Sequence, residues 1–196
     1  MKPYRVGNDE AGLRDFGREF RGRFKRAHLR KGASILEIGS FVGDSTRILI
    51  EEISPAQVVC VDPWNQQMPG YHVESGNIFA TFQQNVMPVA KERRCELYAV
   101  PKMSGDFFAS VTDREDSFDL VYIDAIHTYE AVLRDIQGAL PLLKAGGTLA
   151  GHDYSPTHHP GVVEAANYAH NAFDGRFYKL EVYADTTWAL IPRGPG

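Results

Sequence analysis

The chain has 196 residues and a formal net charge of −4, with 43% hydrophobic and 23% charged residues. That length suits one globular domain with a proper core, and the acidic balance argues against bulk binding of nucleic acid. No apolar run approaches the roughly 18 residues of a membrane span, and Met1-Lys-Pro-Tyr4 does not open a signal peptide, so the expectation is a cytoplasmic protein with neither nucleic-acid nor membrane partner.

From Asp9 to Lys31 the pattern is helical and basic, with Leu13, Phe16, Phe20, Phe24 and Ala27 on one stripe. Acidic Asp9, Glu10, Asp15 and Glu19 dilute the charge, which favours a solvated outer face on a helix packed against the sheet or a partner subunit. Residues 1–31 therefore read as an N-terminal helical segment, and 32–196 as the body of a single domain. A homo-oligomer is left open.

Ser34–Ile38 reads as a short buried strand bounded by Gly32 and Gly39, turning through Gly39 and Gly43 into a helix that runs to Ile53. A strand, a glycine turn and a helix N-terminus make a ligand site, because unpaired N–H groups face the turn. The spacing Gly39-Ser-Phe-Val-Gly43 puts Phe41 where a dinucleotide fingerprint needs a glycine, so a pyrophosphate does not fit. Gln57–Asp62 is a second strand ending in a carboxylate. Asp62 suits either the ribose hydroxyls of an adenosine ligand or the opening of the Asp62-Pro63 turn.

The stretch Pro63–Gly76, with Trp64, Met68, Tyr71 and His72, is long and irregular and is a candidate substrate wall. A helix follows over Asn77–Val89, buried through Ile78, Phe79, Phe82 and Val86 and expected to close at Pro88. Cys95–Val100 is the third strand and Asp106–Val111 a short helix, with Ser104 a candidate cap. Cys60 and Cys95 lie inside apolar runs, which favours buried free thiols over a disulfide or a zinc site. Phe118–Asp124 is the fourth strand, Thr128–Leu143 a helix, and Thr148–Tyr154 the fifth strand. After the loop Ser155–Gly161, whose His158 and His159 read as substrate-loop residues, come a helix (Val162–Ala172) and two strands (Phe177–Tyr183, Thr186–Ile191). Ala184-Asp185 suits an antiparallel hairpin between them. The sum is a doubly wound, Rossmann-like α/β sheet of seven strands, mostly parallel with an antiparallel last strand.

Ligands of open α/β sheets sit outside the carboxyl ends of the strands, and Glu37, Asp62, Asp124, His152 and Asp153 all fall at such ends. Asp124, His152 and Asp153 offer two carboxylates and an imidazole, a donor set for a hard divalent ion such as Mg²⁺ or Mn²⁺. The bland reading of the two aspartates is a pair of strand-end caps.

The run Glu37-x-Gly39-x-x-x-Gly43-x-x-Thr46 resembles motif I of the class I S-adenosylmethionine-dependent methyltransferases. Tyr122-Ile-Asp124-Ala-Ile-His127-Thr-Tyr-Glu130, Leu140-Pro-Leu-Leu-Lys-Ala-Gly-Gly147 and Gly151-His-Asp-Tyr154 resemble the metal-dependent small-molecule O-methyltransferases, in the branch with the macrolide-sugar (macrocin-type) enzymes. The resemblance covers roughly residues 34 to 165. It implies cofactor contacts at Glu37, Gly39, Ser40, Phe41, Gly43, Ser45, Thr46 and Asp62, and at Ser104 beside the adenine. It also implies ion ligands at Asp124, His152 and Asp153, and a catalytic base at His127 working with Asp124. His152 departs from the family, where an acid is usual. His127 alternatively reads as the cap of the Thr128 helix. The implied reaction is methylation of a hydroxyl of a small molecule, naturally a vicinal diol of a sugar or catechol. The rivals are a cofactor-binding protein of this fold without that reaction, and a nicotinamide oxidoreductase, which the missing middle glycine disfavours.

Overall fold

Residues 34–38 alternate between the two faces of a sheet: Ile35 and Glu37 point one way, Leu36 and Ile38 the other, and all four are buried. In the computed structural model, which describes residues 10–26, 32–65, 77–111, 115–173 and 176–192, this segment is β1 (Ser34–Ile38) at the centre of a seven-stranded sheet. Its neighbours are β2 (Gln57–Val61) and β4 (Phe118–Ile123), both parallel to it, followed outward by β3 (Glu96–Val100) on one side and β5 (Leu143–Gly151) on the other. Antiparallel β7 (Trp188–Pro192) and β6 (Phe177–Val182) complete the order β3-β2-β1-β4-β5-β7-β6. The strand order reverses between β1 and β4, and the crevice outside that reversal is where such sheets bind ligands.

Helices cover both faces. On one lie α1 (Glu10–Arg26), α2 (Asp44–Ile53) and α3 (Ile78–Arg93); on the other, α4 (Ser104–Ala109), α5 (Tyr129–Ala139) and α6 (Pro160–Ala172). The α1 stripe is as expected for Leu13, Phe16 and Phe20, which are almost fully buried in the same core cluster as α2 and β1. Each such side chain contributes about 1.5–3 kcal/mol relative to exposure. Arg14 pairs with Glu51 and Glu52, and Arg18 reaches Glu52, so part of the basic face is neutralised by α2. The Phe24 side chain and Ala27 lie outside the described residues, as do Met68, Tyr71 and His72 of the expected substrate wall.

Four expectations are corrected. The helix expected to stop at Pro88 continues to Arg93. Pro88 and Gln84 are both exposed, so the carbonyl that the proline leaves unpaired faces water, while Ala90 extends the buried stripe of Ile78, Phe82 and Val86. The helix expected to reach Leu143 ends at Ala139, because Leu140–Leu142, with Pro141, tightens into a 3₁₀ turn and Leu143 already pairs with Phe118. Strand β5 thus starts at Leu143, shifts register past a left-handed Gly146, and ends at Gly151. The short helix α4 spans Ser104–Ala109 instead of Asp106–Val111, with Met103 as its cap residue. The last hairpin turns over more than two residues, closed by the Tyr183 N–H to the Thr187 carbonyl and by Thr186 in the left-handed region. Both cysteines are buried and free, as expected.

That hairpin turn anchors α1. Asp185, only 8% exposed, accepts the Leu13 N–H at 2.6 Å and the Thr187 N–H at 3.0 Å. A side chain on Gly12 would sit 2.1 Å from the same carboxylate, so the first turn of α1 presses directly on it. Asp185→Ala strands two donors at about 1–3 kcal/mol each, and urea unfolding is expected to show a loss of about 2–6 kcal/mol.

Candidate functional site

Gly39 and Gly43, with φ of 85° and 87°, shape the turn between β1 and α2, and for each the left-handed backbone has a packing reason. A Cβ on Gly39 would lie 2.0 Å from the Asp124 carbonyl oxygen, and one on Gly43 2.3 Å from Val86 of α3. Glu37 is fully buried beneath this turn and accepts hydroxyl hydrogen bonds from Ser40 (2.6 Å), Ser45 (2.7 Å) and Thr46. Burial pushes its carboxyl upward, opposed by those three hydroxyls. Glu37, Ser40 and Thr46, expected as cofactor contacts, thus brace one another under the turn, while Gly39, Phe41 and Ser45 remain partly exposed.

Asp62, 1% exposed, follows β2 and does two jobs. One oxygen accepts the Phe41 N–H at 2.9 Å and the other the Trp64 N–H at 2.6 Å, so it both ties down the first turn and opens its own. Trp64 then donates its indole N–H to the Phe41 carbonyl at 2.8 Å and packs 4.9 Å from Phe79 and Phe82. Ser104 is the first residue of α4 and not its cap; burial raises the neighbouring Asp135 carboxyl, and the Ser104 hydroxyl opposes that rise.

The second half of the site follows β4 and β5. Asp124 comes directly after β4, and its N–H is held by the Ile38 carbonyl of β1 at 2.8 Å. His152 and Asp153 come directly after β5, with the His152 N–H bonded to the Ile123 carbonyl at 3.1 Å. The expected cluster is brought together: donor atoms of Asp124, His152 and Asp153 lie within 4.8 Å of one another. His127 Nε2 lies 2.9 Å from one Asp153 oxygen and 3.7 Å from Asp124, and His152 Nδ1 lies 3.2 Å from the other Asp153 oxygen. His127 is not the helix cap. Thr128 is, accepting the Ala131 N–H at 3.3 Å, which leaves the imidazole for the cluster.

His159 belongs to the same cluster, which sequence reasoning left as a loop residue. Its Nε2 lies 3.8 Å from Asp153 and its ring 4.4 Å from that of His127. Pro160-Gly161 starts a helix directly after it. Gly161 seats that start against the backbone of the His127 loop, where a Cβ would meet the Tyr129 nitrogen at 2.5 Å. His158, by contrast, is exposed and engages Ser155 and Thr157.

The charges of the cluster are coupled. Asp124 and then Asp153 raise His127 to about 9 against the opposing effect of burial. Burial works against a charged His152 as well, but Asp153, Asp124 and Asp185 outweigh it and lift that ring to about 9. The same two imidazoles overcome burial at Asp153 and hold it well below the usual carboxylate range. Both histidines thus lie above the 6.5 of a free imidazole, so their contribution to the metal-free fold is complete below about pH 6.5 and lost as pH rises through about 9. Thermal unfolding of metal-free protein across that window is expected to show a falling Tm, and Asp153→Asn to flatten the dependence.

With the site in hand, its relatives can be placed. A family model described as "Methyltransferase domain" matches residues 36–154, more than half of the chain. No curated protein sequence matches it. Among solved structures, the TDP-rhamnose 3′-O-methyltransferase CalS11 of calicheamicin biosynthesis is 16% identical, covering 87% of this chain and 76% of its own, with a TM-score of 0.58. The O-methyltransferase TomG from Streptomyces achromogenes, in complex with S-adenosylmethionine, is 20% identical, covering 91% and 80% with a TM-score of 0.57. The mycinamycin-pathway methyltransferase MycE, in complex with magnesium and S-adenosylhomocysteine, is 16% identical, covering 89% of this chain and 48% of its own, with a TM-score of 0.57. None of the described helices is long and apolar enough to cross a membrane. The glycine turn, the strand order and the matched span agree, and the chain belongs to the methyltransferase-domain family, with the fold of the class I S-adenosylmethionine-dependent enzymes.

Proposed function

We infer that this protein transfers the methyl group of S-adenosylmethionine to a hydroxyl oxygen of a small molecule, assisted by a divalent metal ion. The observation that carries the reading is the convergence of His127 on Asp124 and Asp153, 3.7 and 2.9 Å away, beside the Gly39 turn. The sugar O-methyltransferase CalS11 and the magnesium complex of MycE, both of this fold, support a hydroxyl acceptor and an ion. A vicinal diol on a sugar or natural product is the acceptor this reading favours, since two adjacent oxygens chelate one ion.

Methyl transfer is an in-line displacement. The acceptor oxygen forms the new C–O bond as the sulfonium C–S bond breaks; the electron pair stays on sulfur, leaving S-adenosylhomocysteine. An alcohol is a weak nucleophile, so its proton must leave as the bond forms. In this reading Nε2 of His127 accepts that proton, and the loop from Asp124 to Thr128 holds the ring at the end of β4. On the cofactor side, the turn from Gly39 to Gly43 and the first turn of α2, with Ser45, receive the amino-acid part of the ligand. Asp62, which holds the Phe41 and Trp64 N–H groups at the end of β2, is the carboxylate this reading sets beside the ribose hydroxyls.

The residues fit a metal ion. Asp124, His152 and Asp153 offer two carboxylates and an imidazole with donor atoms within 4.8 Å, a set suited to Mg²⁺ or Mn²⁺. When bound, the ion supplies a lower pKa for a neighbouring acceptor hydroxyl and draws the aspartate charge away from His127. That second effect is needed here, because two carboxylates otherwise keep His127 protonated up to about 9 and useless as a base near neutral pH.

The reading is tested by following methyl transfer from labelled S-adenosylmethionine to a panel of diol acceptors. His127→Ala is expected to lower kcat about 10²–10⁴-fold with S-adenosylhomocysteine affinity unchanged. Undiminished turnover in that variant contradicts His127 as base, and full turnover in excess chelator contradicts the metal.

A further inference from the structure

The ends of β4 and β5 carry more donors than one oxygen-rich ion site needs. Besides Asp124, His152 and Asp153, a second set of three, His127, Asp153 and His159, has its donor atoms within 4.8 Å of one another. The two sets share Asp153, which reaches its position through a left-handed backbone (φ 62°) unusual for a residue with a side chain.

His159 is held where it is. Its N–H donates to the Ser155 carbonyl at 2.8 Å, Pro160 starts α6 directly after it, and Gly161 locks that start onto the His127 loop. It occupies the cap position of α6, yet its side chain makes no capping hydrogen bond. Instead its Nε2 faces Asp153 at 3.8 Å, while His127 Nε2 faces the other Asp153 oxygen at 2.9 Å. Ligands around a tetrahedral ion at about 2.0–2.2 Å are roughly 3.4 Å apart, and the observed spacings fall on either side of that. Two imidazoles and one carboxylate form a nitrogen-rich set, which suits zinc-type transition ions and not Mg²⁺.

We propose that His127, Asp153 and His159 form a second metal position that takes a transition-series divalent ion of the zinc type, and that filling it shuts off methyl transfer by occupying the His127 nitrogen. The inhibitory half rests on the transferase reading above; the metal position does not. Zinc and magnesium then compete for Asp153, and the ratio of the two ions sets whether His127 is a ligand or a base.

The test is calorimetric titration of Zn²⁺, and separately Mg²⁺, into tag-free, metal-stripped protein with no cofactor present. His159→Ala is expected to weaken Zn²⁺ binding by about tenfold or more and leave Mg²⁺ binding as in the unmodified protein. His158→Ala, in the adjacent exposed residue, is expected to leave both unchanged, and circular dichroism confirms that each variant is folded. Equal Zn²⁺ affinity in folded His159→Ala and unmodified protein overturns the metal position. In a second arm, Zn²⁺ is added to magnesium-supported methyl transfer; inhibition supports the switch, and undiminished turnover at saturating Zn²⁺ overturns it. Absence of any methyl transfer refutes the transferase reading and the switch with it, while the cofactor-free titration still decides the metal position.

Discussion

Among the described glycines, the closest approach is that of two backbones at the centre of the sheet. A Cβ on Gly39 would stand 2.0 Å from the Asp124 carbonyl oxygen, and the Asp124 N–H is bonded to the Ile38 carbonyl at 2.8 Å. The turn after β1 and the loop after β4 are therefore one unit, not two loops that happen to meet. Most of what is proposed for the cofactor lies on the first, with Asp62 tied to it from the end of β2, and the proposed base and ion ligands lie on or beside the second. Their spacing is set by hydrogen-bonded main chain, which is stiffer than side-chain packing and suits a reaction that depends on alignment.

Around that unit, buried carboxylates do different work according to what faces them. Glu37 meets three hydroxyls and, among the described residues, no paired cation, so burial raises it and it braces the turn. Asp185 meets the backbone of α1 and of its own hairpin and anchors a helix. Asp153 meets imidazoles on both oxygens and is held ionised. Half-buried, with its charge shared among groups from β4, β5 and the loop before α6, Asp153 is the carboxylate that the proposed function has trade an imidazolium for a metal ion.

Much of this was legible in the chain. The strand and helix pattern announced the seven-stranded sheet, and strand ends carrying Asp124, His152 and Asp153 announced a cluster that the fold brings together. What was not legible has physical reasons. Pro88 looked like a stop because local chemistry usually wins, but its freed carbonyl faces water and the apolar stripe runs on to Ala90. That Glu37 and Asp62 also hold the glycine turn from within was not legible, because sequence shows a residue at a strand end without showing its hydrogen-bond partners. His159 was passed over because its partners, Asp153 and His127, come from other segments, and a contact made by tertiary folding leaves no spacing to find.

If one half of this unit binds the nucleoside cofactor while the other binds an ion, the two functions come apart on substitution. The most direct measurement is calorimetric titration of S-adenosylhomocysteine, and then of Mg²⁺, into metal-stripped protein and its Asp124→Asn variant. S-adenosylhomocysteine is expected to bind both proteins with similar affinity, and Mg²⁺ the unmodified protein alone. Absence of S-adenosylhomocysteine binding in the folded, unmodified protein would contradict the transferase reading.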